Sequence, residues 1–150
     1  MTFTRDQSAG YLVNHMARLF ARGLSARIKP LGLSTGTFPA LLELWDHDGL
    51  TQKDLVTRLD IEQATMANTL TRMERDGLVI RRKDPSDGRA QRIWLTPRAR
   101  ALRIPATQAA MAENEAALAP LTDQERALFL SLMRRIIDAR APQADGTKAP

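Results

Sequence analysis

Residues 77–96 read GLVIRRKDPSDGRAQRIWLT. Two runs of β-formers, 78–83 and 91–95, flank a turn built from Pro85, Asp87 and Gly88. β-branched and aromatic residues on both sides of such a turn predict a hairpin. The turn accounts for the proline and the glycine but not for the arginines around them. Between residues 81 and 103 lie Arg81, Arg82, Lys83, Arg89, Arg92, Arg98, Arg100 and Arg103, opposed only by Asp84 and Asp87. The chain as a whole carries only +5, so its positive charge is concentrated around this hairpin. A clustered cationic patch is the footprint expected of phosphate binding.

Most of the rest of the chain reads as helix. Tyr11, Leu12, Met16, Leu19, Phe20, Leu24 and Ile28 recur at three- and four-residue steps, which predicts a helix over 6–29, closed by Pro30 and Gly32. Ser34 or Thr35 is placed to cap a second helix over 37–47 carrying Phe38, Leu41, Leu42 and Trp45, and Asp48-Gly49 is a turn. Thr51 and Asp54 form a capping box for a short third helix with Leu55, Val56 and Leu59 on one face. After the break at Asp60-Ile61-Glu62, residues 63–76 turn Met66, Leu70 and Met73 to one side, and Gly77 ends the helix. Beyond the hairpin, Thr96 caps a helix expected to run to about 118, with Pro105 kinking or splitting it. Thr122 and Glu125 open a last helix striped with Leu128, Phe129, Leu132, Met133, Ile136 and Ile137. Residues 141–150 read as a disordered tail. So many apolar helices in a chain of 150 residues call for an intermolecular core.

Several function classes drop out. The chain has no cysteine, which excludes disulfides, thiolate zinc sites, a cysteine nucleophile and a thiol redox sensor. Its two histidines stand at 15 and 47, a poor metal pair, and neither a Gly-x-Ser-x-Gly elbow nor a phosphate-cradling glycine loop occurs. No catalytic residue, metal or cofactor is expected, and the chain does not read as an enzyme. No signal peptide and no apolar run of membrane-spanning length is found, so a cytoplasmic protein without a membrane partner is expected.

Two short helices followed by a basic hairpin describe a winged helix-turn-helix. With Met66, Leu70 and Met73 in the core, the opposite face of the second helix carries Ala64, Asn68, Thr71 and Arg75, flanked by Ala67 and Arg72. Asn and Gln can pair two ways with adenine and Arg with guanine, so Gln63, Thr65, Asn68 and Arg72 are the expected reading set. Thr65 and Thr71 are candidates for phosphates or a thymine methyl group. In the wing, Asp87 is expected to orient the Arg89 guanidinium, making it a probe for a narrow minor groove. Arg81, Arg82, Lys83 and Arg92 would meet phosphates along its flanks. A candidate ligand site is His15 facing a pocket shared with Phe38, Leu41 and Trp45, with Asn14 and Arg18 holding a carboxylate. The plainer reading of those six residues is core and polar surface, and His47 reads as loop.

The run LTQKDLVTRLDIEQATMANTLTRMERDGLVIRRKDPSDGRAQRIWLT resembles the DNA-binding lobe of MarR-type transcriptional regulators. The Leu-Thr-Gln before the third helix, Met-Glu-Arg-Asp-Gly-Leu-Val after the recognition helix, the Asp-Pro-Ser-Asp-Gly-Arg wing and the Leu-Thr that follows all match, and the likeness extends over residues 8–140. It implies a mainly α fold of about six helices with a small β-hairpin, one domain over 1–140. The winged helix would span 37–96, and helices at 6–29 and 97–140 would form a dimerisation lobe. It implies a homodimer on double-stranded palindromic DNA, often released by a small aromatic or phenolic acid. Pro105 departs from the family's uninterrupted fifth helix. The alternatives are a winged-helix protein–protein module and a DNA-binding regulator that answers to no ligand.

Overall fold

The computed structural model describes residues 1–141. Of the tail expected at 141–150, residues 142–150 lie outside the described residues. The chain forms two compact units, one through Asn114 and one from Glu115.

The first unit opens with α1 (Ala9–Ile28), capped by the Ser8 hydroxyl, which accepts from the Tyr11 N–H. A short 3-10 turn (Lys29–Leu31) follows and ends at Gly32 in the left-handed region, φ 75°. Helix α2 (Phe38–Asp46) is not capped by Ser34 or Thr35 as expected. Thr37 occupies the cap position, but its hydroxyl turns back and donates to the Ser34 carbonyl at 3.1 Å. A hydroxyl engaged with the preceding turn cannot serve the helix behind it.

The capping box of α3 (Gln52–Leu59) forms as expected: Asp54 N–H donates to Thr51 Oγ1 at 3.0 Å, and Thr51 N–H to Asp54 Oδ2 at 3.0 Å. Asp60 ends α3 in a left-handed conformation, φ 51°. Helix α4 (Gln63–Arg75) then ends at Gly77, φ 71°, with the Leu78 N–H reaching the Met73 carbonyl at 2.9 Å. That 6→1 bond is a Schellman closure, and only glycine holds its left-handed position without strain. Strands β1 (Val79–Lys83) and β2 (Gln91–Leu95) pair antiparallel, Val79 opposite Leu95 and Lys83 opposite Gln91. The segment after Asp48 adds to the outer side of β2: Gly49 N–H donates to Ile93 O, and Ile93 N–H to Leu50 O.

The core of this unit gathers Ile28, Phe38, Leu41, Leu44, Leu55, Met66, Leu70, Met73, Leu78, Val79 and Ile93 from α1–α4 and the hairpin. The expected long helix after the wing is two, α5 (Pro97–Ala101) and α6 (Arg103–Ala117). Pro105 has no N–H to return to the carbonyl four residues back, and the chain breaks at Leu102. The Trp45 indole N–H takes up the Ala99 carbonyl next to that break, at 2.9 Å. This division brings the helices among the described residues to seven.

In the second unit, α7 (Asp123–Arg140) carries the second capping box: Glu125 N–H to Thr122 Oγ1 and Thr122 N–H to Glu125 Oε1. Arg126 donates to Glu115 at 2.7 Å and to the Leu118 carbonyl. No residue of α7 is buried, and Leu128, Leu132, Ile136 and Ile137 stand exposed. No helix among the described residues is long and apolar enough to cross a membrane.

Candidate nucleic-acid interface

Helix α4 turns its apolar stripe inward and leaves Gln63, Ala64, Thr65, Asn68, Thr71, Arg72 and Arg75 exposed. Thr69 joins Met66, Leu70 and Met73 on the buried side. Its hydroxyl is satisfied by the Thr65 carbonyl at 2.9 Å, which is why a polar residue tolerates that position. Thr71 is exposed, but its hydroxyl is already used. It donates to Ala67 O at 3.0 Å and accepts from Arg81 Nη2 at 2.7 Å. Its methyl group stays available for a base; its proton does not. The Arg72 guanidinium lies close over Gly36, on the loop before α2.

The wing is ordered by its acids, in a way the sequence reading did not anticipate. Asp84 is buried and is the hub: Oδ1 accepts the Ser86 N–H at 3.0 Å and the Ser86 hydroxyl at 2.8 Å, and Oδ2 accepts Arg92 Nε at 3.1 Å. The Ser86 N–H is the main reason that the Asp84 carboxyl is held below its ordinary 3.8, with the Ser86 hydroxyl and Arg92 behind it. Asp87 was expected to hold the Arg89 guanidinium. It instead accepts the Arg89 backbone N–H at 3.0 Å, because an aspartate reaches a backbone N–H two residues on more easily than a long side chain that folds back. The Arg89 guanidinium makes no hydrogen bond or ion pair among the described residues.

The same sorting runs through the cationic cluster. Arg92, expected on phosphates, donates to Asp84 and, at 2.8 Å, to the Gly49 carbonyl. Arg81, expected beside it on the flank, is only 19% exposed and turns under the sheet to Thr71 and, at 3.9 Å, Glu74. Its Nε, the atom that faces Glu74, is buried and makes no hydrogen bond among the described residues. Arg98 donates to the Asp76 carbonyl at 2.6 Å, Arg100 to Asp48 at 2.9 Å, and Arg103 to the Trp45 carbonyl at 2.6 Å and Asp46 at 2.9 Å. Arg82, Lys83 and Arg89 remain outward without such bonds among the described residues.

The structure brings Gln63, Asp87 and Arg89 together. They line a cleft of about 390 Å³ with Thr51, Gln52, Lys53 and Gln91. Recognition-helix start, wing tip and α3 start thus share one concave surface. Lys53 is the residue the sequence reading missed. Its only signal was its place in the first turn of a capped helix.

Comparison with known proteins fits this geometry. The sequence model of the MarR family matches residues 33–90. Transcriptional regulator HosA of Escherichia coli O111:H- is 31% identical over 107 residues, covering 71% of this chain and 79% of its own. The chain belongs to the MarR family of transcriptional regulators. An HTH-type transcriptional repressor of Mycobacterium tuberculosis is 29% identical over 91% of this chain and 98% of its own. The crystal structure of a probable transcriptional regulator from Pseudomonas aeruginosa superposes with a TM-score of 0.84 at 29% identity, covering 89% and 100%. These relatives are regulators rather than enzymes.

In this MarR-family chain the six candidate ligand residues are not brought together. Phe38, Leu41 and Trp45 are buried in the core, Phe38 edge-on to Trp45 with ring centres 6.1 Å apart. Asn14, His15 and Arg18 lie on the exposed side of α1, where Asn14 Nδ2 donates to Gly10 O and His15 stands edge-on to Tyr11. Leu41 and Trp45 face the winged core because the indole reaches across to α5. Of the six, only Phe38 touches the apolar cavity formed by α1, α2 and α6.

Proposed function

We propose that this regulator is a homodimeric, ligand-responsive cytoplasmic repressor of palindromic duplex DNA. Helix α4 enters the major groove with Gln63, Thr65, Asn68 and Arg72 toward the bases, and the Arg89 tip follows the adjacent minor groove. Arg82, Lys83 and Lys53 meet phosphates. The observation that carries this reading is the cleft shared by Gln63, Lys53 and Arg89, whose two cations make no hydrogen bond or ion pair among the described residues. Support for a second copy comes from apolar side chains left exposed on several helices: Leu12 and Leu19 on α1, Ile104 and Met111 on α6, and Leu128 and Ile136 on α7. Each unit thus leaves large apolar side chains in water, and exposed apolar surface of this kind marks an interaction site. Two half-sites about one helical turn apart must be met together, so a ligand that alters the spacing of the two recognition helices would release the DNA.

The test is binding to the promoter region beside the protein's own gene, by wild type and Arg89→Ala, at two salt concentrations. Tight wild-type binding that weakens steeply with salt, with a weaker variant, supports the reading. Absence of binding by either protein at low salt sinks it and favours a protein–protein module.

A further inference from the structure

The cavity between α1, α2 and α6 has a volume of about 350 Å³, within the range that holds a small organic molecule. Phe20, Leu24, Phe38 and Leu42 supply its apolar wall, and Thr35, Glu113 and Asn114 its polar lining. Glu113 is the one ionisable residue in that lining.

The carboxylate has been given a seat. Gly23 stands inside α1, where glycine weakens a helix. A Cβ at that position would strike the Glu113 carboxylate, so the missing side chain is the space the acid occupies. One turn on, Arg27 Nε donates to Glu113 Oε2 at 2.9 Å. The acid side chain is 14% exposed and the arginine's 40%, and of the two only Glu113 lines the cavity. Glu113 Oε1 accepts no hydrogen bond among the described residues.

An aromatic acid, the ligand class implied by the family resemblance, would bring a second carboxylate to this wall, where the nearby cation, Arg27, lies outside the lining and is already paired with Glu113. Like charges in a confined site repel, and an unpaired charge there is costly. We infer that this cavity takes an aromatic amphiphile whose polar head is a cationic nitrogen, an amidinium or ammonium, bonded to Glu113 Oε1. The rings of such a ligand lie against Phe20 and Phe38, whose faces also attract a cation. This inference rests on the ligand-responsive reading above and narrows it to one ligand class.

The experiment is calorimetric titration of the whole protein with 2-naphthamidine and with 2-naphthoate, which share a ring system and differ in the charge of the head. The amidine is expected to bind at least about tenfold more tightly, the scale of one charge-assisted hydrogen bond. Glu113→Gln should remove about that factor for the amidine. Arg27→Gln, which frees Oε2 as well, should strengthen amidine binding. If Glu113→Gln fails to fold, Leu42→Trp, which fills the cavity from its exposed edge, should abolish amidine binding instead. The inference is overturned if naphthoate binds as tightly as the amidine, if the amidine gives no binding heat, or if its affinity is unchanged in Glu113→Gln. The titration contains no DNA, so loss of operator binding would sink the regulator reading and leave this result separate.

Discussion

Two stretches of the chain hold the same residue type and use it differently. In residues 82–89, Arg82, Lys83 and Arg89 extend outward with no partner among the described residues. In residues 92–103, every arginine is bonded into the fold: Arg92 to Gly49 and Asp84, Arg98 to the Asp76 carbonyl, Arg100 to Asp48, and Arg103 to Trp45 and Asp46. The difference lies in what stands nearby. Helices α2 and α4 both end against α5, and helix C-termini present unpaired carbonyls and a partial negative charge. Arginines on α5 and at the start of α6 cap those ends, while the wing tip has no carbonyls of that kind to meet. A count of cations therefore overstates the DNA-facing charge.

The largest effect expected from this contrast is at Arg103. Arg103→Ala strips the Trp45 carbonyl of its 2.6 Å donor and leaves Asp46 without its pair. The Asp46 pair is well exposed on both sides and adds little, so the carbonyl bond carries most of the loss. Stability should fall by about 2 kcal/mol, or about 5 °C in melting temperature, with the salt dependence of DNA binding unchanged. Calorimetric melting and a salt series read both. An altered salt slope at constant melting temperature would break the contrast.

Arg89→Ala should behave the opposite way. Melting temperature stays level, since the side chain supports nothing. Operator affinity should drop about tenfold, roughly 1.4 kcal/mol. The slope of log affinity against log salt should shrink by about one unit if the tip also meets a phosphate. A smaller effect tests Thr71, which straddles the two groups. Thr71→Val keeps the methyl group and removes the acceptor for Arg81. It should cost about 1 kcal/mol of stability and little DNA affinity. A large affinity loss without destabilisation would return the hydroxyl to the reading set.

Local chemistry was legible in the sequence; distant partners were not. Both capping boxes, at Thr51/Asp54 and Thr122/Glu125, form as read, because each is closed by residues three apart. The glycine stop at residue 77 is equally local, and the two strands fall close to the runs read as 78–83 and 91–95. The exposed face of α4 came from periodicity alone, and Gln63, Asn68 and Arg72 do face outward. Asp48 read as a turn residue. In the structure it accepts the Gly49 and Leu95 N–H groups and Arg100, tying the wing base to α5. Arg92 finds the Gly49 carbonyl 43 positions away, and Trp45 finds Ala99 54 positions away. Periodicity says which face of an element is apolar but not what lies opposite, so the arginines could not be sorted before the fold was known. Gly23 and Glu113, 90 positions apart on different helices, were hidden for the same reason.

The acid limb of stability offers the finest test. Asp84 is held below its ordinary value of 3.8, first by the Ser86 N–H, then by the Ser86 hydroxyl, with Arg92 behind them and burial opposing. A carboxylate with a lowered folded-state value contributes stability above its unfolded value and loses it as pH falls through the folded one. Melting temperature should therefore decline as pH drops below about 4. Asp54 and Glu125, each lowered chiefly by a backbone N–H of its capping box, add to the same limb. Asp84→Asn retains an acceptor for Ser86 but no titrating group. Its melting temperature should start lower at neutral pH and fall less steeply in acid than that of the wild type. Because a backbone N–H leads and the arginine follows, added salt should barely flatten the Asp84 part of the decline, since screening acts on separated charges rather than on a fixed hydrogen bond. If salt erased that part, Arg92 would be its main cause, and the wing base would be held by charge in the way the tip was expected to bind DNA.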